Sequence, residues 1–370
     1  MRKQRTSPDL PLFLAVAALL TLGIVMVYSA SQYMAADSAI DDGLYYLKRQ
    51  CLWAVIGLMS LFIFLKIDPK KLEKWAFPVL IFAILCLVAV KIAFGASALG
   101  AERSIVLGPF HFQPSEAAKL GLVLFFASWY GKNPKRNETL LKGFLLPLGI
   151  CGIIVALIML QPDLGTTAAL LATAFLIMCA AGVKFRYLLS MVILGCALVI
   201  TAIVLEPFRM ARFTAFLDPW ADPQGYGFQT VQSLIAIGSG GITGVGLGNG
   251  GAKWYYLPEV HTDFIFALIG EELGLIGTVF TVFLFAVILW RGLRIALFCD
   301  DLFLSLLAFG LTALIGTQTL INFFVAGGMM PVTGIALPFI SYGGSSLIFS
   351  LAAIGILLSI STTIPKGVLK

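Results

Sequence analysis

Charge is scarce in this chain. Only 12% of its 370 residues are Asp, Glu, Lys or Arg, while 59% are hydrophobic. An ordinary soluble domain carries about 25% charged residues. A surface so poor in charge cannot be kept in water, which excludes a soluble enzyme and leaves a polytopic membrane protein. The net charge of +6 does not restore a nucleic-acid partner, because the basic residues are scattered at the ends of apolar runs. Histidine is scarcer still. His111 and His261 are the only two, so a histidine-rich metal site is excluded. The six cysteines (Cys51, Cys86, Cys151, Cys179, Cys196 and Cys299) contain no CxxC pair. They read as small buried side chains, not as disulfides or metal ligands. No internal repeat is evident, which weighs against an inverted-repeat transporter.

Long apolar runs are abundant. A bilayer core needs about 20 apolar residues per helix. Ten segments qualify: 11–31, 50–65, 75–95, 115–131, 143–160, 164–182, 187–205, 264–290, 302–326 and 345–363. The basic start MRKQR followed by an apolar run resembles a signal peptide, but the run from Pro11 to Ala30 exceeds the usual 7–15-residue core. It is expected to be an uncleaved first helix. With the N-terminus in the cytoplasm, seventeen of the 25 Lys and Arg fall inside and six outside. The outer six are Lys48, Arg49, Arg103, Arg209, Arg212 and Lys253; Lys91 and Lys119 lie within helices. This asymmetry fits ten transmembrane helices with both termini cytoplasmic. The chain therefore reads as an all-α polytopic membrane protein, one domain over residues 1–370. Between helices 7 and 8 lies a large extracytoplasmic loop, 206–262. Amphipathic patches such as FQTVQSLIAIG make that loop too apolar for disorder, and it is expected to fold back on the outer face.

Four places keep polar residues where they are costly. In FHFQPSEAAKLGLVLFF, Glu116 and Lys119 stand three residues apart and share a helix face. They form a structural ion pair, the wall of a polar cavity, or both. In QPDLGTT, Asp163 suits a helix-capping turn, with substrate contact as the alternative. In FRMARF, Arg209 and Arg212 are one turn apart. They could grip an anionic head group together or anchor the chain to lipid phosphates. In YLPEVHTDFIFALIGEELG, Asp263 sits where the outer loop enters helix 8. Glu271 lies about 12 Å deeper on a helix rising 1.5 Å per residue. Asp263 is thus the accessible acid, and Glu271 and Glu272 are expected to be buried bundle contacts. Ala267, Gly270 and Gly274 offer a small-residue face for close packing. The run GSGGITGVGLGNGG contains a formal GxGxxG, but it lies in an outer loop with no strand before it, so nucleotide binding is not expected. The sequon Asn137-Glu-Thr139 falls on the cytoplasmic side and is discounted.

At the level of whole segments, the chain resembles the SEDS family of bacterial membrane proteins, typified by FtsW and RodA. The matching stretches are GAERSIVLGPFHFQPSEAAKLGLVLFFASW, QPDLGTT, FRMARFTAFLDPWADPQGYGFQTVQSLIAIGSGG, GLGNGGAKWYYLPEVHTDFIFALIGEELGLIG and MMPVTGIALPFISYGGSSL. The wording YLPEVHTDFIFA and PVTGIALPFISYGGSS looks more like the division branch than the elongation branch. The resemblance implies a peptidoglycan glycosyltransferase of the bacterial cytoplasmic (inner) membrane that polymerises lipid II. It implies a class B penicillin-binding protein transpeptidase as partner, among other divisome or elongasome proteins. It also implies an essential acid at Asp263, a polar helix-4 pair at Glu116 and Lys119, and a cavity acid at Asp163. The family's GxxRWI reads Gly100-Ala-Glu-Arg103-Ser-Ile here. Arg103 is kept, but Ser104 replaces the Trp, so no stacking is expected there.

Asp263 is the expected catalytic base, acting on the extracytoplasmic side. Glu116, Lys119, Arg103, Asp163, Arg209 and Arg212 are expected to bind substrate, the cations holding the departing pyrophosphate. A divalent cation, Mg or Mn, could assist, although no dedicated ligand cluster is evident. Two other functions compete: a lipid II flippase and a non-catalytic division scaffold.

Overall fold

In lipid, a chain segment must satisfy its own N–H and C=O groups, so apolar runs of this length become helices. The computed structural model describes residues 6–36, 43–94, 105–107, 110–161, 163–252 and 260–365. The helices are α1 (Leu10–Ala36), α2 (Tyr45–Lys66), α3 (Leu72–Phe94), α4 (Pro114–Lys132), α5 (Leu146–Met159) and α6 (Leu164–Ala180), followed by α7 (Phe185–Val204), α8 (Pro207–Leu217), α9 (Phe228–Ser239), α10 (Ile265–Leu297), α11 (Leu302–Ala326) and α12 (Gly344–Ser361). Among the described residues, seven are long and apolar enough to cross a membrane: α1, α2, α3, α5 with the π-helical turn that leads into it, α10, α11 and α12. α6 and α7 are apolar but shorter. α4 has 19 residues and carries Glu116, Lys119 and Lys132. Every one of the ten expected segments thus coincides with a helix. Proline in the first turn opens α4 and α8, and aspartate caps α6 and α11, the residues each position favours.

α4 is the hub. It is buried nearly all round and packs on α3, α11 and α6. α2 and α12 pack along each other. A Cβ at Gly355 would stand 2.5 Å from the Leu61 carbonyl oxygen, so this approach requires glycine. α1 lies on α10. At one end of this contact, Arg291 of α10 donates through Nε to Asp9 Oδ1 at 3.0 Å and through its guanidinium to Oδ2. Both residues are buried. Asp9 also accepts from the Leu12 N–H at 3.0 Å, opening α1. α7 is peripheral, packed on α6 and α8.

Two features correct the expectations. The segment Ile105–Leu107 pairs antiparallel with Phe110–Phe112, so the helical fold carries one short hairpin. Its β-branched and aromatic residues favour a strand, and three residues per strand are too few to show a periodicity. The cysteines are all free, but only Cys151 is buried; Cys179 and Cys196 are exposed. An apolar run has the same composition whether it faces lipid or core.

Two connecting segments fold onto the bundle. Within 206–262, α9 packs against α10 and α11, and Ser233 Oγ donates to the Ala326 carbonyl at 2.7 Å. The glycine run after α9 lies on α10 where Gly274 breaks the helix, at φ 65° and ψ −160°. A Cβ on Gly274 would stand 2.3 Å from the Gly244 nitrogen. Thus Gly274 packs closely, as expected, but against a loop. The segment 327–343 re-enters the bundle. Phe339 and Ile340 are buried there against α1 at Gly23. Phe339 holds a left-handed backbone, φ 67°, which a non-glycine residue keeps only when its surroundings force it.

Candidate active site

Consecutive helices of a bundle run antiparallel, so every second span begins at the same end. Here α2, α4, α6, α10 and α12 begin around one cavity of about 770 Å³. It is lined by Tyr45, Tyr46, Arg49 and Trp53 of α2, Glu116 and Lys119 of α4, Thr166 of α6, His261 to Asp263 before α10, and residues of 334–336 and 342–346. Helix N-termini present free N–H groups and partial positive charge. Four of them, all but the α6 end that Asp163 caps, lack a side-chain cap and favour an anionic ligand.

Asp263, half-buried, reaches this cavity from the residue pair just before α10. In the lining of the same cavity, Lys119 Nζ donates to Glu116 Oε1 at 2.7 Å. Both of these side chains are nearly buried, 6% and 9% exposed, so the pair is both a bundle contact and a cavity wall. The structure therefore brings three sequence-predicted residues into one space. Asp163, expected as a cavity acid, does not line it. Its carboxylate accepts from Thr166 N–H at 3.0 Å and Thr166 Oγ1 at 2.8 Å, capping α6. Its neighbour Thr166 is the one that lines the cavity.

Arg212 does not join this group. It lines a separate cavity of about 300 Å³ with Phe216, Tyr226 and Gln229. Pro331 and Val332 also line that space, while Gly334 to Ala336 line the larger one, so the segment between them divides the two. Arg209, on the same helix, is half-buried and does not line the larger cavity. Arg103 lies outside the described residues.

Arg49 is the residue that sequence reasoning missed as a site group. Its guanidinium lies 4.8 Å from the Tyr45 ring centre and beside Tyr342. Burial pushes the Tyr342 phenol pKa up, and Arg49 acts against that rise. The Tyr46, His261 and Tyr342 rings meet at 5.2–5.7 Å. The available signal was the stretch YYLKR at the start of α2, aromatics and cations within one turn. The result is a wall of aromatic faces with a few convergent polar groups, the usual make-up of a small-molecule site.

Glu271 and Glu272 have other work. Glu271 accepts from the Gly251 N–H at 2.7 Å and the Ala252 N–H at 3.1 Å. Ser29 Oγ of α1 lies 2.7 Å from the Glu272 carboxylate and donates to it. Glu272 is the expected bundle contact. Glu271 pins the glycine loop at Gly251 and Ala252, and Glu272 also reaches that loop, accepting from the Gly250 N–H at 3.4 Å. Among the described residues no three His, Cys, Asp or Glu side chains gather as a metal site. A divalent cation would have the Asp263 carboxylate to hold it and would supply positive charge to the cavity.

These features define a multi-pass helical membrane protein with a charged, aromatic-lined cavity at one end of its bundle. The chain belongs to the FtsW/RodA/SpoVE family, described as cell cycle proteins, whose model matches residues 10–365. It is 41% identical to stage V sporulation protein E of Bacillus subtilis (strain 168), over 98% of this chain and 99% of that one. It is 43% identical to a probable peptidoglycan glycosyltransferase FtsW of Geobacter sp. (strain M18), over 94% and 95%. Among solved structures it is similar to a chain of a peptidoglycan synthase complex that coordinates polymerization and crosslinking, with TM-score 0.78, 35% identity, and 96% and 97% covered. It is also similar to the rod shape determining protein RodA of Thermus thermophilus, with TM-score 0.70, 31% identity, and 96% of both chains covered.

Proposed function

We propose that this protein is a peptidoglycan glycosyltransferase that joins lipid II units in the 770 Å³ cavity. The observation that carries the reading is the Asp263 carboxylate facing the same space as Arg49 and the Glu116-paired Lys119, where five helices begin. The ten apolar helices are taken as ten spans with both termini cytoplasmic, forming a single membrane domain. The cavity then opens on the extracytoplasmic side, where a lipid-linked sugar can enter from the outer leaflet. The partner is a class B penicillin-binding protein transpeptidase, which would crosslink the strand this chain polymerises.

The reaction forms a bond between the 4-oxygen of the acceptor GlcNAc and C1 of the donor MurNAc, and breaks the bond from C1 to the pyrophosphate. Asp263 takes the proton of the attacking hydroxyl, because a sugar hydroxyl is a weak nucleophile without a positioned base. The pyrophosphate leaves with negative charge. Arg49, Lys119 and the helix N-termini meet that charge in a partly dry site, where such groups act most strongly. Glu116 holds Lys119 in place. Attack opposite the leaving group inverts the configuration at C1. Arg209 and Arg212 on α8 are assigned to a second part of the substrate, Arg212 through the adjoining cavity.

A flippase would need a head-group passage past Glu116 and Lys119. The space that adjoins them towards Leu314, Gln318 and Ser350 is about 10 Å³, roughly one water. The test uses purified protein and labelled lipid II. An enzyme makes glycan polymer in detergent, where there are no two sides. A flippase moves lipid II across liposomes and makes none, and that result would overturn the proposal.

A further inference from the structure

The three peptide carbonyls leading into α10 are each held by a donor from outside that helix. The His261 carbonyl accepts from the Tyr342 N–H at 2.9 Å. The Thr262 carbonyl accepts from Ser341 Oγ. The Asp263 carbonyl accepts from Asn322 Nδ2 of α11 at 2.8 Å. The same Asn322 amide donates to the Ile335 carbonyl at 2.8 Å, so its two N–H groups serve one carbonyl each. The Ser341 hydroxyl also accepts from the Leu337 N–H at 2.8 Å. Asn322 and Ser341 are 1% and 5% exposed, and neither lines the cavity.

The geometry has a reason. Intrahelical bonds of α10 begin with the Phe264 carbonyl, which accepts from Ala267 and Leu268. The Asp263 carbonyl lies one residue before that point, so the helix ladder does not hold it. A buried carbonyl without a partner costs about 1–3 kcal/mol. The donor from α11 therefore fixes where the Asp263 backbone stands, and with it where the carboxylate can reach. Its second bond, to Ile335, ties the facing wall of the cavity to the same point. An inverted Asn322 amide would set its oxygen against two carbonyls, so only this orientation satisfies both.

We propose that Asn322 and Ser341 are positioning residues for Asp263. They act by clamping residues 261–263 to the re-entrant segment 335–342, and they touch no substrate. This rests on the reading of Asp263 as the base. The clamp sets turnover more than substrate capture, because neither substitution alters a side chain that lines the cavity.

The test is steady-state polymerisation of lipid II by the full-length protein in detergent, with its transpeptidase partner present. N322D keeps the shape of asparagine and removes both donors. S341A removes the hydroxyl, and S341T restores it. L320A, on the exposed side of α11, serves as control. We expect N322D and S341A to lower kcat by roughly 10²-fold with KM within about threefold, the signature of a displaced catalytic group. We expect S341T to recover most of the loss and L320A to match wild type. Wild-type kcat in both N322D and S341A would overturn the proposal. So would a loss confined to KM, or an S341T no better than S341A. The two serine variants decide the matter even if N322D does not fold. Should D263N polymerise like wild type, the reading of Asp263 fails instead, and the two failures are told apart in one assay.

Discussion

The Glu116–Lys119 pair gives a prediction with a magnitude. The two charges are 2.7 Å apart on one face of α4, with side chains 9% and 6% exposed. Removing one partner of such a buried pair strands the other charge and costs about 3–5 kcal/mol, whereas replacing both by neutral groups is often neutral or stabilising. Water in the cavity softens the penalty on one side, so the lower end applies. K119M and E116Q should each destabilise the protein by roughly 3 kcal/mol. The double variant E116Q/K119M should recover most of that, to within about 1 kcal/mol of wild type. Activity should not follow stability. The folded double variant still lacks a cation facing the leaving group, and its turnover should fall by about 10²-fold or more. Denaturation of the detergent-purified variants, run beside polymerisation, reads both. If K119M and the double variant unfold alike, the stranded charge is not the cause of the loss. If the double variant polymerises like wild type, Lys119 does not serve the leaving group.

Other perturbations reach the rest of the fold. D9A removes a buried partner of Arg291 and the cap of α1; it should cost about 3–5 kcal/mol of stability in denaturant unfolding. G274A puts a Cβ 2.3 Å from the Gly244 nitrogen at a backbone angle reserved for glycine. It should cost at least about 1–3 kcal/mol and raise hydrogen exchange in the glycine loop. Asp301 caps α11 through the Leu304 N–H and pairs with Lys70. Burial raises its carboxyl pKa, but Lys70 and the backbone N–H groups outweigh this and hold it below the ordinary value of 3.8. A depressed pKa stabilises the fold above the unfolded value and loses that contribution as pH falls through the folded one. The stability gap between wild type and D301A, about 0.5–2 kcal/mol for a cap, should therefore be full at neutral pH and close below about pH 4.

Hydropathy made the ten helices legible, because lipid forces each long apolar run to satisfy its own backbone. It could not separate lipid-facing from buried positions, so Cys179 and Cys196 were expected inside and lie exposed. The break at Gly274 was hidden, since the apolar pattern runs on through it and only the backbone angle shows it. The residues that approach one another from distant spans were legible only where whole segments matched a known family. That match singled out Asp263, Glu116, Lys119 and Asp163; the first three line one cavity and Asp163 does not. Helical spacing correctly placed Arg209 and Arg212 on one helix, but spacing carries no information on where that helix points, and Arg212 lines another cavity. Arg49 was counted only among the outer basic residues, next to an apolar run. Its neighbours Tyr45 and Tyr342 turn it inward.

The central claim is that Asp263 is the base of glycosyl transfer. The direct measurement is glycan polymer formed from lipid II by purified wild type and D263N, with equal folding verified by melting. The account predicts polymer from wild type and a loss of about 10²–10⁴-fold in D263N, the range of a general base, with lipid II binding retained. Glycan output from folded D263N close to that of wild type would contradict it.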